Sequence, residues 1–551
     1  MQFIPRGDAD FTPLGSLSGW MSALLRSRGV DTEEKARRFL YPDLSGLEDP
    51  FRLPGMEEAV RLIRNAIAAK ERIMIFGDYD ADGVCAASIL LETLTEEGAL
   101  ASFRLPDRRK DGYGLNEDAV REISGIARLL ITVDCGISNP AEVALAKSLG
   151  LTVIVTDHHQ LPESLPGADA VLNPLLGDYP CPDLCGAGVA LKICQALQGM
   201  DGVLKRIDLA AIATVADVVP LTGENRIIVR EGLQRINTTG RPGLRALLEV
   251  SGTSAPVQSD ALAFRIGPRL NAAGRLGDAS LGVQLLLTGK PEKAVAAAKR
   301  LEEMNRLRQN MEHEITAAAF GQVTETFRPE DRVLIAAGEG WNPGLIGLSA
   351  GKLCEKYYRP AIVLSLPEDG GDAVGSCRSI PGVHIYDALR ACGGLLVKFG
   401  GHAQAAGLTV EREKIPAFRE KLNRVIREKC GEDVFIPRYE YDLEVPFRTW
   451  TQETLKELEQ LEPTGCGNPA PVFLLSGASV QSLRRVGRDG SHLQLSLLTQ
   501  ENTYVRGIGF FMGEEAEKDH MDVDLLYRPV RNEFNGRVSV EAQVSALRAS
   551  D

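Results

Sequence analysis

Ile73-Met74-Ile75-Phe76-Gly77-Asp78-Tyr79-Asp80-Ala81-Asp82-Gly83 is the stretch on which the fold turns. Its leading apolar residues read as a strand buried on both faces, the acidic residues as a turn, and residues 84–95 as the helix that follows. The same grammar returns twice. Leu129–Val133 is followed by Asp134-Cys135-Gly136, and residues 151–155 by Thr156-Asp157-His158-His159. Strands that are apolar throughout and alternate with helices predict a parallel sheet covered on both faces, here over residues 56–290. In such a sheet ligands bind beyond the carboxyl ends of the strands, so three strand ends aim acidic and imidazole groups into one crevice.

That many like charges repel unless protons or bound cations neutralise them. Carboxylate oxygens with one or two imidazoles and no thiolate suit Mg²⁺ or Mn²⁺ better than zinc or an iron–sulfur centre. The number of carboxylates suggests two ions, which at ~3.5–4 Å apart would lower the pKa of a shared water and stabilise attacking and leaving oxygens at phosphorus. A lone Asp at a strand end is as readily a helix N-cap. Asp78, Asp80 and Asp82 within five positions, with matching groups on two other strands, go beyond capping.

Outside this constellation the chain is ordinary. Its 551 residues exceed the roughly 250–300 that one core supports, so several domains are expected. A net charge of −13 argues against a surface coated for nonspecific nucleic-acid binding. Any such surface is local, and the basic spots are residues 104–110, Arg265/Arg269/Arg275, Arg306/Arg308 and Arg484/Arg485/Arg488, each with a solvated face as the plain alternative. Scattered cysteines and an N-terminal stretch without signal-peptide character predict a cytoplasmic protein with reduced thiols. Cys181 and Cys185 lack a second Cys/His pair at zinc spacing and read as packing residues. No stretch reaches the ~18–20 uninterrupted apolar residues of a membrane span.

Residues 1–55 read as an irregular extension with one short helix near 32–39. Residues 291–320 read as a single long helix and plausible rigid connector, opening on Pro and free of internal Gly or Pro. Strands near 333–336 and 361–364 mark a second α/β segment. Towards the end, Leu493, Leu495 and Leu497, then Val538, Val540, Ala542 and Val544, alternate with other residues as in half-buried strands. With Asp489-Gly490 and Asn535-Gly536 as hairpin signals, a small antiparallel barrel is predicted, OB-like by analogy.

Asp157-His158-His159 together with residues 78–83 resembles the signature of the DHH phosphoesterase superfamily. Residues 214–221 (TVADVVPL), 268–275 (PRLNAAGR), 341–344 (WNPG), 375–379 (GSCRS), 400–403 (GGHA) and 467–469 (GNP) resemble its RecJ family, in that family's order, over nearly everything from about 56 to 551. The resemblance implies a metal-dependent 5′→3′ exonuclease that hydrolyses single-stranded DNA to 5′-mononucleotides, in recombination and repair. It implies an α/β multidomain chain: N-terminal extension 1–55, parallel-sheet DHH catalytic domain 56–290, connecting helix 291–326, α/β DHHA1 domain 327–432 and antiparallel OB-like barrel 433–551, around a narrow channel for one strand.

By position, the resemblance makes Asp80, Asp82, Asp134, His158 and Asp217 the ligands of two divalent cations, Mn²⁺ or Mg²⁺, with Asp134 bridging both and His159 and Asp78 orienting them. It makes Ser376, Arg378 and Arg108 the grip on the terminal phosphate and brings His402 to a nearby phosphate. Asn271 and Arg275 would border the DNA path, or else form an interdomain hydrogen-bond network. One departure stands out: many relatives carry a His ligand where this chain has Phe76. The implied partners are single-stranded DNA, a single-strand-binding protein and a helicase; a chain enclosing its own channel is expected to act as a monomer. Two alternatives remain open at this stage: a DHH enzyme for small nucleotides, which generally lacks the C-terminal barrel and residues 268–275, and a non-catalytic DNA-binding scaffold, which loses carboxylates.

Overall fold

The apolar run around Ile73 is the strand Arg72–Gly77 in the computed structural model, which describes residues 1–107, 114–518, 520–534 and 536–550. It pairs in parallel with Leu100–Arg104 on one side and Leu129–Val133 on the other, and Thr152–Thr156 and Ala170–Leu172 extend the sheet in the same direction. Along the sheet the order is therefore second, first, third, fourth, fifth. The winding reverses between the first and third strands, and at such a switch point the carboxyl ends part to leave a crevice. The turn 78–82 follows one of these two strands and Asp134 the other.

Helix Ala81–Glu96 packs against helix Gly186–Ala216 on one side of the sheet. On the other, Glu117–Ser124 and Pro140–Ser148 bury Ala119, Val120, Ile123, Val143 and Ala146 against Met74, Phe76, Leu130, Val153 and Val155. The strand–helix alternation predicted out to residue 290 stops at Leu172; from Gly186 to Leu287 the elements are all helices, joined by short turns. The edge strand Leu100–Arg104 is only half buried and has no continuous apolar run, which is why the sequence pattern passes over it.

Two compact units are present: residues 4–302 with 440–551, and residues 303–439 with 1–3. In the first, the C-terminal strands close into a barrel in the order Phe473–Val486, His492–Leu498, Tyr504–Gly509, Arg537–Ala549, Asp522–Phe534, and the last pairs back onto the first. All these pairings are antiparallel except Tyr504–Gly509 with Arg537–Ala549. The N-terminal stretch is less irregular than its sequence suggests. Helix Gly19–Arg26, absent from the sequence reading, buries Trp20, Met21, Leu24 and Leu25 in the same core as Trp450, Phe473, Leu495 and Tyr527, and Trp450 Nε1 donates to Tyr527 Oη at 2.7 Å.

The second unit carries a mixed sheet ordered Lys398–Gly401, Ala405–Val410, Ala373–Arg378, Ala361–Leu366, Leu334–Glu339, in which only the last two strands are parallel. Helices Ile346–Tyr357, Ile385–Ala391 and Ile415–Lys429 share its core. The long helix runs from Pro291 to Thr326. Cys181 and Cys185 are buried, with Cys185 Sγ 3.6 Å from Thr214 Oγ1 and no cysteine in any metal-competent group among the described residues.

One buried ion pair fastens residue 48 to helices Gly186–Ala216 and Gly223–Asn237. Lys192 Nζ lies 2.7 Å from Glu224 Oε1 and donates to Glu48 O at 2.6 Å, while Tyr179 Oη donates to Glu224 Oε2. Both charges are sealed from water, at 1% and 2% side-chain exposure. Lys192→Met strands the Glu224 carboxylate and is expected to destabilise the fold by about 3–5 kcal/mol, with Lys192→Met/Glu224→Leu recovering most of the loss. Urea-denaturation midpoints check this; a single variant as stable as the wild type would contradict it.

Candidate metal centre and active site

Two acidic side chains of the turn at the switch point, Asp80 and Asp82, are held by backbone donors. Asp80 caps helix Ala81–Glu96, its Oδ1 accepting from Asp82 N at 2.9 Å and Gly83 N at 3.1 Å. Asn271 Oδ1 accepts from Ala81 N at 2.7 Å, so this residue of the 268–275 stretch fixes the acidic turn. Asp82 is clamped by the start of helix Gly186–Ala216: Oδ2 accepts from Gly186 N at 2.6 Å and Oδ1 from Ala187 N at 2.7 Å, the partial positive end of a helix facing an anion. Gly186 is required here, because a Cβ would lie 2.5 Å from Asp134 Cβ. Asp134 itself has φ +59°, a conformation uncommon for any residue but glycine.

His158 stands among three carboxylates. Its Nε2 lies 3.2 Å from Asp134 Oδ1, 3.6 Å from Asp217 Oδ2 and 3.8 Å from Asp82 Oδ2. Although His158 is near, Asp134 Oδ1 is buried and receives no hydrogen bond of adequate geometry among the described residues. Three sets of side chains bring ligand atoms within 4.8 Å of one another: Asp78, Asp80 and Asp134; Asp82, His158 and Asp217; Asp134, His158 and His159. Asp134 and His158 each belong to two sets, so the groups form one continuous site. A hard cation fits this donor set, and the unsatisfied Asp134 oxygen is where it fits best.

Asp157, which the sequence reading leaves without a role, is a positioning residue. Its Oδ2 accepts from Ile137 N at 2.9 Å; its Oδ1 accepts from His158 N at 2.8 Å and His159 N at 3.1 Å and pairs with His159 Nδ1 at 2.7 Å. With both oxygens spent in this way it orients the two histidines. Phe76 is fully buried in the apolar layer with Leu130, Ile137 and Val143, so this position is a core contact.

Burial, compounded by Asp82, Asp80, Asp78 and Asp217, pushes the Asp134 carboxyl well above its ordinary range. Burial likewise raises Asp82, and it raises Asp217 to about 8, with Asp82 and Asp80 adding to the effect. Burial lowers the His158 imidazole against the pull of Asp82. The hydrogen bond that its ring donates to the Asp157 carboxylate raises His159 to about 9. Burial opposes ionisation of Asp157 as well, but its hydrogen bonds from His159 and Ile137 hold it below the usual carboxylate range.

The substrate-side expectations fall elsewhere. Ser376 and Arg378 adjoin in the second unit, where Arg378 Nη1 donates to Ser376 Oγ at 3.2 Å. Both face Gly347 in the first turn of helix Ile346–Tyr357, where a Cβ would lie 2.8 Å from Ser376 Oγ and 3.0 Å from Arg378 Nη2. His402 is exposed in the turn between Lys398–Gly401 and Ala405–Val410. Arg275 is half-buried in the last turn of helix Gly267–Leu276. Arg108 lies outside the described residues. Several basic spots are engaged internally: Arg269 with Glu302, Arg308 with Glu312, and Arg485 with Glu517.

Comparison with known proteins decides the family. Residues 72–216 match the DHH family N-terminal domain, 330–428 the DHHA1 domain and 441–546 the RecJ OB domain. The single-stranded-DNA-specific exonuclease RecJ of Bacillus subtilis is 38% identical over 96% of this chain and 68% of its own length; that of Escherichia coli is 34% identical over 94% of each. The chain belongs to the RecJ family. The crystal structure of RecJ from Thermus thermophilus in complex with Mn²⁺ superposes with a TM-score of 0.85 at 31% identity, covering all of this chain and 79% of that one. The same RecJ in complex with Mg²⁺ gives a TM-score of 0.79 at 29% identity, with the same coverage.

Two outcomes test this geometry. Carboxylates with raised pKa must lose protons before they ligate, so Mn²⁺ binding is expected to tighten from about pH 6 to 8 and to release protons, read by calorimetry in buffers of different ionisation enthalpy; pH-independent binding would contradict it. Gly186→Ala, which drives a methyl group into Asp134, is expected to weaken Mn²⁺ binding by about 10–100-fold with the fold retained by circular dichroism.

Proposed function

We propose that this chain is a divalent-metal-dependent exonuclease that removes nucleotides from the 5′ end of single-stranded DNA. The observation that carries the reading is the continuous site built from Asp78, Asp80, Asp82, Asp134, His158, His159 and Asp217 at the sheet's switch point. Its donor set and unsatisfied Asp134 oxygen match the Mn²⁺ and Mg²⁺ with which a RecJ of this fold crystallises. Two such ions, bound there, supply charge neutralisation at the scissile phosphate and acidify the attacking water.

On this reading Asp80, Asp82, Asp134, His158 and Asp217 are the metal ligands. The backbone clamp on Asp82 and the cap at Asp80 leave each carboxylate the lone pairs that ligation needs. Asp157 fixes His159, whose hydrogen-bonded Nδ1 sets the ring orientation for contact with the reacting phosphate. Water attacks phosphorus in line, the bond to the 3′-oxygen breaks, and that oxygen takes up a proton, so a 5′-mononucleotide leaves. Ser376, Arg378 and His402, with Arg108, are the proposed phosphate-contacting groups, and Arg275 is proposed to border the DNA path; a guanidinium fork matches phosphate oxygens bidentately. Asn271 acts through the acidic turn that it holds.

The domain limits proposed for these tasks are 1–55, 56–290, 291–326, 327–432 and 433–551. The cytoplasm is the proposed place of action, as a monomer, on strands that a helicase and a single-strand-binding protein present during recombination and repair. Among the described residues no helix is long and apolar enough to cross a membrane.

An oligonucleotide labelled at either end, incubated with Mn²⁺ beside its duplex form, tests the reading. Ordered loss from the 5′ end of the single strand is expected, with none for Asp134→Ala. Loss from the 3′ end, equal attack on duplex, or full activity of the variant would overturn it.

A further inference from the structure

The backbone immediately after Asp217 is held in a conformation that its own sequence does not favour. Asp217 ends helix Gly186–Ala216, and Val218, a β-branched residue at 67% exposure, has φ +61°. Such a conformation persists only where the surroundings over-determine it. The Val218 side chain faces solvent and restrains nothing; beyond the bond its N–H donates to Val215 O at 3.3 Å, the restraint lies at Pro220 and Leu221.

On one side Asn225 Nδ2 donates to Pro220 O at 3.1 Å and to Asp183 O at 2.7 Å. On the other, the chain just before the barrel comes in. Leu221 N donates to Cys466 O at 2.8 Å. Gly467 has φ +69° and lies so close that a Cβ would sit 2.9 Å from Pro220 Cβ, while a Cβ at Gly465 would meet Leu221 Cδ1 at 2.8 Å. Residues 465–467 thus press directly on the segment that follows Asp217.

That turn is itself rigidly built. Asn468, wholly buried, donates from Nδ2 to Leu461 O at 2.8 Å and Pro463 O at 2.9 Å. Arg226 sends its guanidinium to the carbonyls of Gln460, Leu461, Glu462 and Pro463 at 3.0–3.2 Å and to Phe39 O at 2.7 Å, making no ion pair among the described residues. Arg28 donates to Asn468 Oδ1 at 3.2 Å and Pro469 O at 3.1 Å, and Ser259 Oγ donates to Thr464 O at 2.7 Å. A planar fork of donors meeting carbonyls, with no carboxylate to neutralise it, fixes backbone shape.

We propose that residues 460–468 are a positioning element of the metal site, which sets the path of residues 217–221 and through it the Asp217 carboxylate. Gly467 is its contact point, and Arg226 and Asn468 are the residues that hold it in shape. The segment leading into the barrel thereby contributes to cation affinity without touching a cation. This rests on the reading of Asp217 as a metal ligand.

The test measures Mn²⁺ binding to the full chain by calorimetry, with the Mn²⁺ concentration for half-maximal exonuclease activity and the KM for a single-stranded oligonucleotide alongside. For Gly467→Ala the Mn²⁺ Kd is expected to rise about tenfold, as for other residues that orient a ligand. Half-saturating Mn²⁺ rises with it, while the KM at saturating Mn²⁺ and the circular dichroism spectrum stay at wild-type values. A folded Gly467→Ala protein with wild-type Mn²⁺ affinity overturns the proposal. If Gly467→Ala does not fold, Ser259→Ala, which removes only the hydroxyl on Thr464 O, decides on the same reading: a raised Kd supports the positioning role and an unchanged Kd overturns it. Asp217→Asn separates the two levels. Should that variant bind Mn²⁺ as the wild type does, the ligand assignment falls; should it lose binding while Gly467→Ala does not, only the positioning role falls.

Discussion

Mutual repulsion among Asp78, Asp80, Asp82, Asp134 and Asp217 is the constraint around which the catalytic half is built. Burial raises Asp82, Asp134 and Asp217 together, so the metal-free site retains protons that cations would displace. The scaffold tolerates this because its donors are backbone groups at fixed positions. A helix start holds Asp82, a helix cap holds Asp80, and the Asp157 carboxylate gathers three backbone N–H groups and the His159 ring. Such a site is preorganised for divalent cations, with little left to rearrange on binding.

The sheet places these groups by topology. The order second, first, third, fourth, fifth puts the switch point between Arg72–Gly77 and Leu129–Val133, whose following residues are the acidic turn and Asp134. His158 arrives from the end of Thr152–Thr156, and Asp217 from a helix that is not part of the sheet. Two kinds of element therefore converge on one imidazole, and the second needs its own support beyond Ala216.

Much of this was legible in the sequence. Leu129–Val133 is predicted to the residue, and the long helix starts at Pro291 as its N-terminal proline implies. Acidic turns after fully apolar strands mark the crevice in the sequence. Asp217 carried no such local signal, since it follows a helix buried on most sides whose apolar residues lack a clear period, and only the resemblance of residues 214–221 singled it out. The role of Asp157 was hidden because a carboxylate that orients histidines and one that ligates look alike in sequence. Helix Gly19–Arg26 was missed because its apolar residues are short in extent and their partners, Trp450, Phe473 and Tyr527, lie more than four hundred positions away. Asn271 was ambiguous between the DNA path and an interdomain network; its Oδ1 accepts from Ala81 N within the same unit, a contact that the residue's sequence context did not announce.

Manganese located by anomalous diffraction in crystals of the full chain tests the central reading most directly. Two peaks about 3.5–4 Å apart are expected, both within coordination distance of Asp134 and flanked by His158 and Asp217. A single peak, or peaks away from Asp134, would contradict it.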